Sequence, residues 1–282
     1  MKNFKKYLSV AVIGLVFVCM IPSVLKAVKE NRKQNDGFNK TSITEETSDF
    51  TPTETPKPTE TGTTNKTIAP SHSVQQGNLP ARAGEHGVFV TGNASYFDDA
   101  LFVGDSRTLD LCEYGTLKNA DYFSATGMSV FNIRDRKSTG NPSDLSFSEF
   151  IRKKKYGKVY IMLGFNECGY PKSSIIKKYQ ELIDRIRESQ PDAIIYIQAN
   201  LLVTAKCSAT DKYSHNPDII EINNLEAQLA NGRDIVYIDV NNLFCLSDGT
   251  LDPSKTGDGT HVRAKYCAEW CDWLMTRTVQ AE

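Results

Sequence analysis

Leu101-Phe102-Val103-Gly104-Asp105-Ser106-Arg107-Thr108 is the stretch on which the fold turns. Three apolar residues read as the end of a buried strand, and a glycine marks a sharp turn. An acidic residue then precedes a serine able to open a helix. A strand that passes straight into a helix leaves the first helical N–H groups without partners and pointing one way. That end also favours negative charge. A serine hydroxyl lifted there from the sheet edge has what a nucleophile forming an oxyanion requires. By itself the tetrapeptide Gly-Asp-Ser-Arg also reads as an ordinary turn with Asp105 or Ser106 as a helix N-cap.

Working outward from this stretch, short apolar runs alternate with amphipathic ones. Strands are expected at Ala100–Val103, Asp121–Ala125, Lys158–Leu163, Ala193–Ala199 and Ile235–Val240. The clearest helix runs from Pro171 to Ser189, with Ile175, Ile176, Tyr179, Leu182, Ile183 and Ile186 on one face. Pro171 suits its first turn and Pro191 follows its end. Further helices are expected over Pro217–Ala230 and Arg263–Thr278. Five strands alternating with helices predict an α/β domain of three layers, α/β/α, around a five-stranded parallel sheet. Sites in such sheets form outside the carboxyl ends of the strands. Ser106, Gly127 and Asn166 each follow one of the first three strands, so they are expected on one rim.

A serine hydroxyl needs a base to take its proton as it attacks. Of the four histidines, His72 and His86 lie in or beside a low-complexity segment, and His215 sits in a polar loop. His261 is preceded by Asp258, close enough for the carboxylate to orient the ring and stabilise the imidazolium. The alternative reading of His261 is a residue that merely helps start the last helix.

Gly104-Asp105-Ser106, Gly127, Gly164-Phe165-Asn166-Glu167 and Asp258-Gly259-Thr260-His261 together resemble, in order and spacing, the four blocks of the SGNH/GDSL hydrolase superfamily, over roughly residues 95–280. The resemblance implies a flavodoxin-like SGNH hydrolase fold and ester chemistry. It implies Ser106, Asp258 and His261 as the catalytic set, with the Ser106 and Gly127 N–H groups and the Asn166 amide as oxyanion donors. Two residues depart from the commonest pattern. Arg107 stands where an apolar residue is frequent, and is a candidate contact for an anionic substrate group or an ion-paired helix residue. Glu167 stands where Asp is frequent, and is expected to support its loop through hydrogen bonds.

Other chemistries lack their residues. No G-x-S-x-G, H-E-x-x-H, G-x-x-x-x-G-K-[ST] or G-x-G-x-x-G occurs, so no cofactor and no metal is expected. A formal charge of −1 over 282 residues gives no field for nucleic acid. The seven cysteines include no C-x-x-C, and their pairing cannot be read from their spacing.

The flanking segment has its own composition. Lys2, Lys5 and Lys6 precede an apolar run from Leu8 to Leu25, which reads as an N-terminal membrane anchor or signal segment over residues 1–30. Residues 31–87, including Thr51-Pro52-Thr53-Glu54-Thr55-Pro56, read as a disordered Thr/Pro-rich linker, since so little apolar content cannot offset chain entropy. Residues 88–282 form the hydrolase-like domain. The expected protein is a single-pass membrane protein with its C-terminal domain outside the cell, or a secreted one after signal cleavage. The function implied is a serine esterase removing a small acyl group, acetyl by family habit, from envelope or other carbohydrate. The competing readings are an O-acyltransferase using the same triad and a non-catalytic wall-binding module.

Overall fold

In the computed structural model of the chain, residues 79–280 are described. The anchor expected over 1–30 and the linker as far as residue 78 lie outside the described residues.

Five strands form the sheet: β1 (Ala100–Gly104), β2 (Asp121–Ser124), β3 (Lys158–Met162), β4 (Ile194–Gln198) and β5 (Ile235–Ile238). The α-helices are α1 (Ser106–Tyr114), α2 (Phe147–Phe150), α3 (Lys172–Ser189), α4 (Ala205–Thr210), α5 (Asn216–Ala227), α6 (Asn241–Phe244) and α7 (Cys267–Met275). The spatial order is β2-β1-β3-β4-β5 and every pairing is parallel. The chain therefore starts in the sheet's interior, steps to one edge at β2, and returns across β1 to build the other side. Such a reversal opens a crevice at the carboxyl ends of β1 and β3. This is the three-layer α/β/α architecture expected from the alternation of apolar runs.

Period-two alternation sorts each strand's side chains onto two cores. Leu101, Val103, Val159, Ile161, Ile195 and Ile197 face the layer of α3 and α5, packing with Ile183, Ile219 and Ile222. Phe102, Tyr160, Tyr196 and Ile238 face the layer of α1 and α7, with Leu111, Trp270 and Leu274. On this second face the cross-strand partners Tyr122, Phe102, Tyr160 and Tyr196 stack in a ladder, at centroid separations of 5.1, 4.5 and 4.1 Å. Neighbouring rings in register add to burial and fix which residues stand opposite one another.

Three differences from the sequence reading have local causes. The last helix splits into a 3-10 turn, Ala264–Tyr266, and α7, which ends at Met275. The short helix α2 lies where apolar periodicity predicts none, although Ser146 and Glu149 carry its capping box: Glu149 N–H donates to the Ser146 hydroxyl, and Ser146 N–H to the Glu149 carboxylate. The linker boundary also moves, from residue 87 back to no later than 79. Residues 79–87 hold the domain through bonds their composition does not advertise. The His86 and Tyr237 backbones exchange two hydrogen bonds, Ala83 N–H donates to the Asn224 side chain at 2.6 Å, and Glu85 pairs with Arg277 at 3.1 Å.

Candidate active site

The turn from β1 into α1 is set by two residues. Gly104 is there because space forbids anything larger: a Cβ would collide with the Thr108 hydroxyl and lie 2.7 Å from the Met162 carbonyl on the neighbouring strand. Asp105 is the N-cap, its Oδ1 accepting from Arg107 N–H at 2.9 Å. Ser106 is then the first helical residue and only partly buried. Its own N–H has no partner among the described residues.

His261 arrives from the loop before α7. The Ser106 hydroxyl lies 2.8 Å from His261 Nε2, and His261 Nδ1 lies 2.7 Å from Asp258 Oδ2. A carboxylate can only accept, so the ring proton sits on Nδ1 and leaves Nε2 free to accept from Ser106. Asp258 is held by its own turn, where Oδ1 accepts from the N–H groups of Thr260 at 2.8 Å and His261 at 2.9 Å. Partial burial pushes its carboxyl upward, but the donations from His261 and Thr260 outweigh it and hold the group below the usual carboxylate range. Asp258 is therefore an anion at neutral pH.

The other rim residues close on this pair from β2 and β3. Gly127 sits in the turn after β2 with φ +71°, a conformation that favours glycine, and its N–H has no partner among the described residues. Asn166 lies in the 3-10 turn Phe165–Glu167 after β3. Its Nδ2 donates to the Met128 carbonyl at 2.9 Å and, over 3.3 Å, to Asp105 Oδ2. One amide thus ties together the turns that follow three different strands. Ser106, Gly127, Asn166, Asp258 and His261 gather at the carboxyl edge of the sheet.

Arg107 goes elsewhere. It is 1% exposed, its guanidinium lies 3.5 Å from the Phe165 ring centroid, and Nη1 is 3.4 Å from Asp105 Oδ2. The expected substrate contact is corrected to an internal one, because the second helical position turns the side chain back toward the β3 loop. Glu167 meets its expectation: it is fully buried, and Oε1 accepts from Val130 N–H at 2.6 Å. Burial raises this carboxyl to about 7.

Sequence reasoning missed a layer of buried amides beneath the rim. Asn200 accepts from Phe165 N–H at 3.1 Å and donates to the Leu163 carbonyl at 3.0 Å, so it holds the turn that carries Asn166. Asn223 exchanges bonds with the Asn200 backbone at 2.8 and 2.9 Å, and Glu226 accepts from Asn200 at 3.2 Å. Burial drives the Glu226 carboxyl well above its usual value. The available signal was polar residues at core positions of α5. Asp110, one helical turn after Ser106, carries no motif either. It shares a cavity of about 390 Å³ with Gly257, Asp258, His261, Val262 and Arg263, and burial raises it to about 6. A larger cavity of about 1010 Å³, between Leu79, Pro217, Cys245 and Thr250, includes none of the rim residues. All six cysteines from Cys112 to Cys271 are free thiols.

The profile of the GDSL-like lipase/acylhydrolase family matches residues 102–265. No curated protein matches the chain. Among solved structures it is similar to a GDSL-like lipase from Bacteroides thetaiotaomicron, at 14% identity over 63% of this chain and 86% of that one, TM-score 0.47. It is also similar to a carbohydrate esterase family 3 protein from Talaromyces cellulolyticus, at 15% identity over 63% and 91%, TM-score 0.43. A third is an acetyl xylan esterase, at 16% identity over 62% and 96%, TM-score 0.45. The family profile spans more than half of the 282 residues and takes in every turn of the rim, so the chain belongs to the GDSL-like lipase/acylhydrolase family of serine hydrolases.

Proposed function

We propose that the chain is a serine esterase that removes a small acyl group, acetyl, from an extracytoplasmic carbohydrate. The observation that carries the chemistry is the continuous relay from the Ser106 hydroxyl through His261 to Asp258, at 2.8 and 2.7 Å. In the first half-reaction His261 Nε2 takes the Ser106 proton as Oγ attacks the ester carbonyl. Negative charge collects on the carbonyl oxygen. The Ser106 and Gly127 N–H groups meet it, with the Asn166 amide proton that otherwise spans 3.3 Å to Asp105. His261 then protonates the leaving sugar oxygen, which departs as the alcohol. Water repeats the proton traffic on the acyl-serine and releases the acid and the free hydroxyl.

The choice of acetyl follows the family resemblance; the cavity of about 390 Å³ beside His261 is lined by Asp110, Asp258 and Val262 and does not include Ser106. Support for a site outside the cytoplasm comes from the apolar run Leu8–Leu25 and the Thr/Pro-rich stretch after it.

The test is acetate release from O-acetylated peptidoglycan and acetylated polysaccharides by the full chain and its Ser106→Ala variant. Release by the wild type alone is expected. Equal release by both proteins would overturn the mechanism, and acyl transfer to glycan outpacing hydrolysis would replace the esterase with a transferase.

A further inference from the structure

Four large aromatic side chains are exposed among the described residues: Tyr114, Phe131, Tyr170 and Tyr213. Tyr114 stands at the end of α1. The other three come from three separate loops and meet at one place. Phe131 and Tyr170 have ring centroids 5.0 Å apart. Tyr213 leans on Gly169, the residue before Tyr170, where a Cβ would sit 3.3 Å from its ring.

That place adjoins the rim. Phe131 follows Val130, whose N–H is held by Glu167, and Tyr170 N–H donates to the Glu167 carbonyl at 2.9 Å. Asn166, immediately before Glu167, reaches the Met128 carbonyl on the Phe131 loop. Tyr213 belongs to the chain between β4 and α5, and Thr204 at the start of that chain donates its N–H to the Gly259 carbonyl of the Asp258–His261 loop. The three rings are thus built onto the Asn166 side of Ser106 by loops tied to those that carry Asn166 and His261.

Exposed aromatic rings are costly in water unless something covers them. An acyl chain is a poor occupant, because it needs enclosure and these tyrosines stand 56% and 54% exposed. A pyranose ring fits better. Its axial C–H groups form a flat patch matched to an aromatic face, and its hydroxyls can bond the phenolic groups of Tyr170 and Tyr213, which are apolar on the face and wet at the tip. Lys212 Nζ lies over one face of Tyr213, 4.9 Å from the ring centroid, so a sugar would take the other face with a charged donor close by. We propose that Phe131, Tyr170 and Tyr213 form a stacking platform for a sugar ring of the substrate, next to the ester-bearing residue held at Ser106. This rests on the carbohydrate-esterase reading and names the side of the site on which the glycan lies.

The experiment uses the full chain and acetylated xylohexaose. In Tyr170→Ala/Tyr213→Ala, KM is expected to rise about tenfold while kcat changes little, since two stacked contacts are worth roughly that factor in binding. Tyr170→Trp/Tyr213→Trp restores KM, because it keeps an aromatic face. Tyr114→Ala, an equally exposed ring elsewhere, leaves both constants unchanged. An unaltered KM in the double alanine variant overturns the platform, as does a loss confined to kcat or a tryptophan variant as weak as alanine. If the wild type releases no acetate from any glycan, the functional reading itself fails. The platform is then read by calorimetric titration of Ser106→Ala with unacetylated xylohexaose, with and without the two alanines. Binding weakened by the alanines upholds it and no binding overturns it. Higher kcat/KM for p-nitrophenyl octanoate than for the acetate, abolished by the same alanines, would assign the rings to an acyl chain and also overturn it.

Discussion

The two ends of the Ser106–His261 contact are built on opposite plans. Ser106 sits where a central strand meets a helix, between a glycine with no room for a side chain and the buried pair Asp105–Arg107. His261 and Asp258 sit on a loop, their side chains 34% and 57% exposed, and the loop is shaped mainly by hydrogen bonds spanning two or three residues, with one longer tie from Thr204 N–H to the Gly259 carbonyl. Ser106 is placed by the core, whereas His261 is placed mainly by a local turn. A group whose position must survive attack belongs on a rigid element, and one that shuttles protons needs access to the leaving group and to water. Damage at the first end should therefore spread into stability. Damage at the second should stay in the chemistry.

The sharpest way to break that contrast is to remove the chemistry alone. Ser106→Ala and His261→Ala are each expected to lower kcat by about 10⁶, with the double variant little worse, because a relay fails as a unit. Acetate release under saturating substrate measures this. Asp258→Asn keeps an acceptor for Thr260 and His261 N–H but presents the wrong partner to Nδ1, and should cost about 10⁴ in kcat. Its melting temperature should stay close to wild type, as a locally built loop requires; a large drop would refute the contrast. Asn166→Ala removes a proposed oxyanion donor and the tie between three turns, so kcat should fall by about 10²–10³.

On the core side, Gly104→Ala forces a methyl into Thr108 and the Met162 carbonyl, and should destabilise the fold by about 1–3 kcal/mol with activity falling in parallel. Chemical denaturation followed by an activity assay on the surviving fold separates the two losses. The smallest effect expected is a pH dependence. Glu167 is raised by burial from 4.5 to about 7. Between those values the folded chain holds a proton that the unfolded chain has released, so this group's contribution to stability falls as pH rises through that window. Glu167→Gln keeps the acceptor for Val130 N–H and should flatten that slope in thermal melts. An identical slope in both proteins would show that the buried carboxyl does not titrate there.

Much of this is legible in the chain. All five strands lie within a residue or two of their expected bounds, because an apolar run of four to six residues between turn formers fits little besides a buried strand. The rule that parallel strands share their carboxyl edge puts Ser106, Gly127 and Asn166 on one rim, and a neighbouring carboxylate singles out His261. Arg107 is not legible. Its position beside the nucleophile suggests the substrate, and only packing shows that its side chain turns inward onto Phe165. Residues 79–87 are hidden for a related reason: their attachment is made by backbone groups and single ion pairs, which leave no hydrophobic pattern.

The sequence by itself determined the layers, the strand directions and which serine, histidine and carboxylate to look for at the rim, because these follow from local periodicity and from residue types with few chemical uses. Tertiary structure alone decided which polar residues stand inside and which aromatic ones outside. Asn200, Asn223 and Glu226 hold up the rim from below, while Phe131, Tyr170 and Tyr213 meet above it from three loops. Contacts between segments far apart in the chain depend on how the loops close, and spacing along the sequence carries no record of that closure.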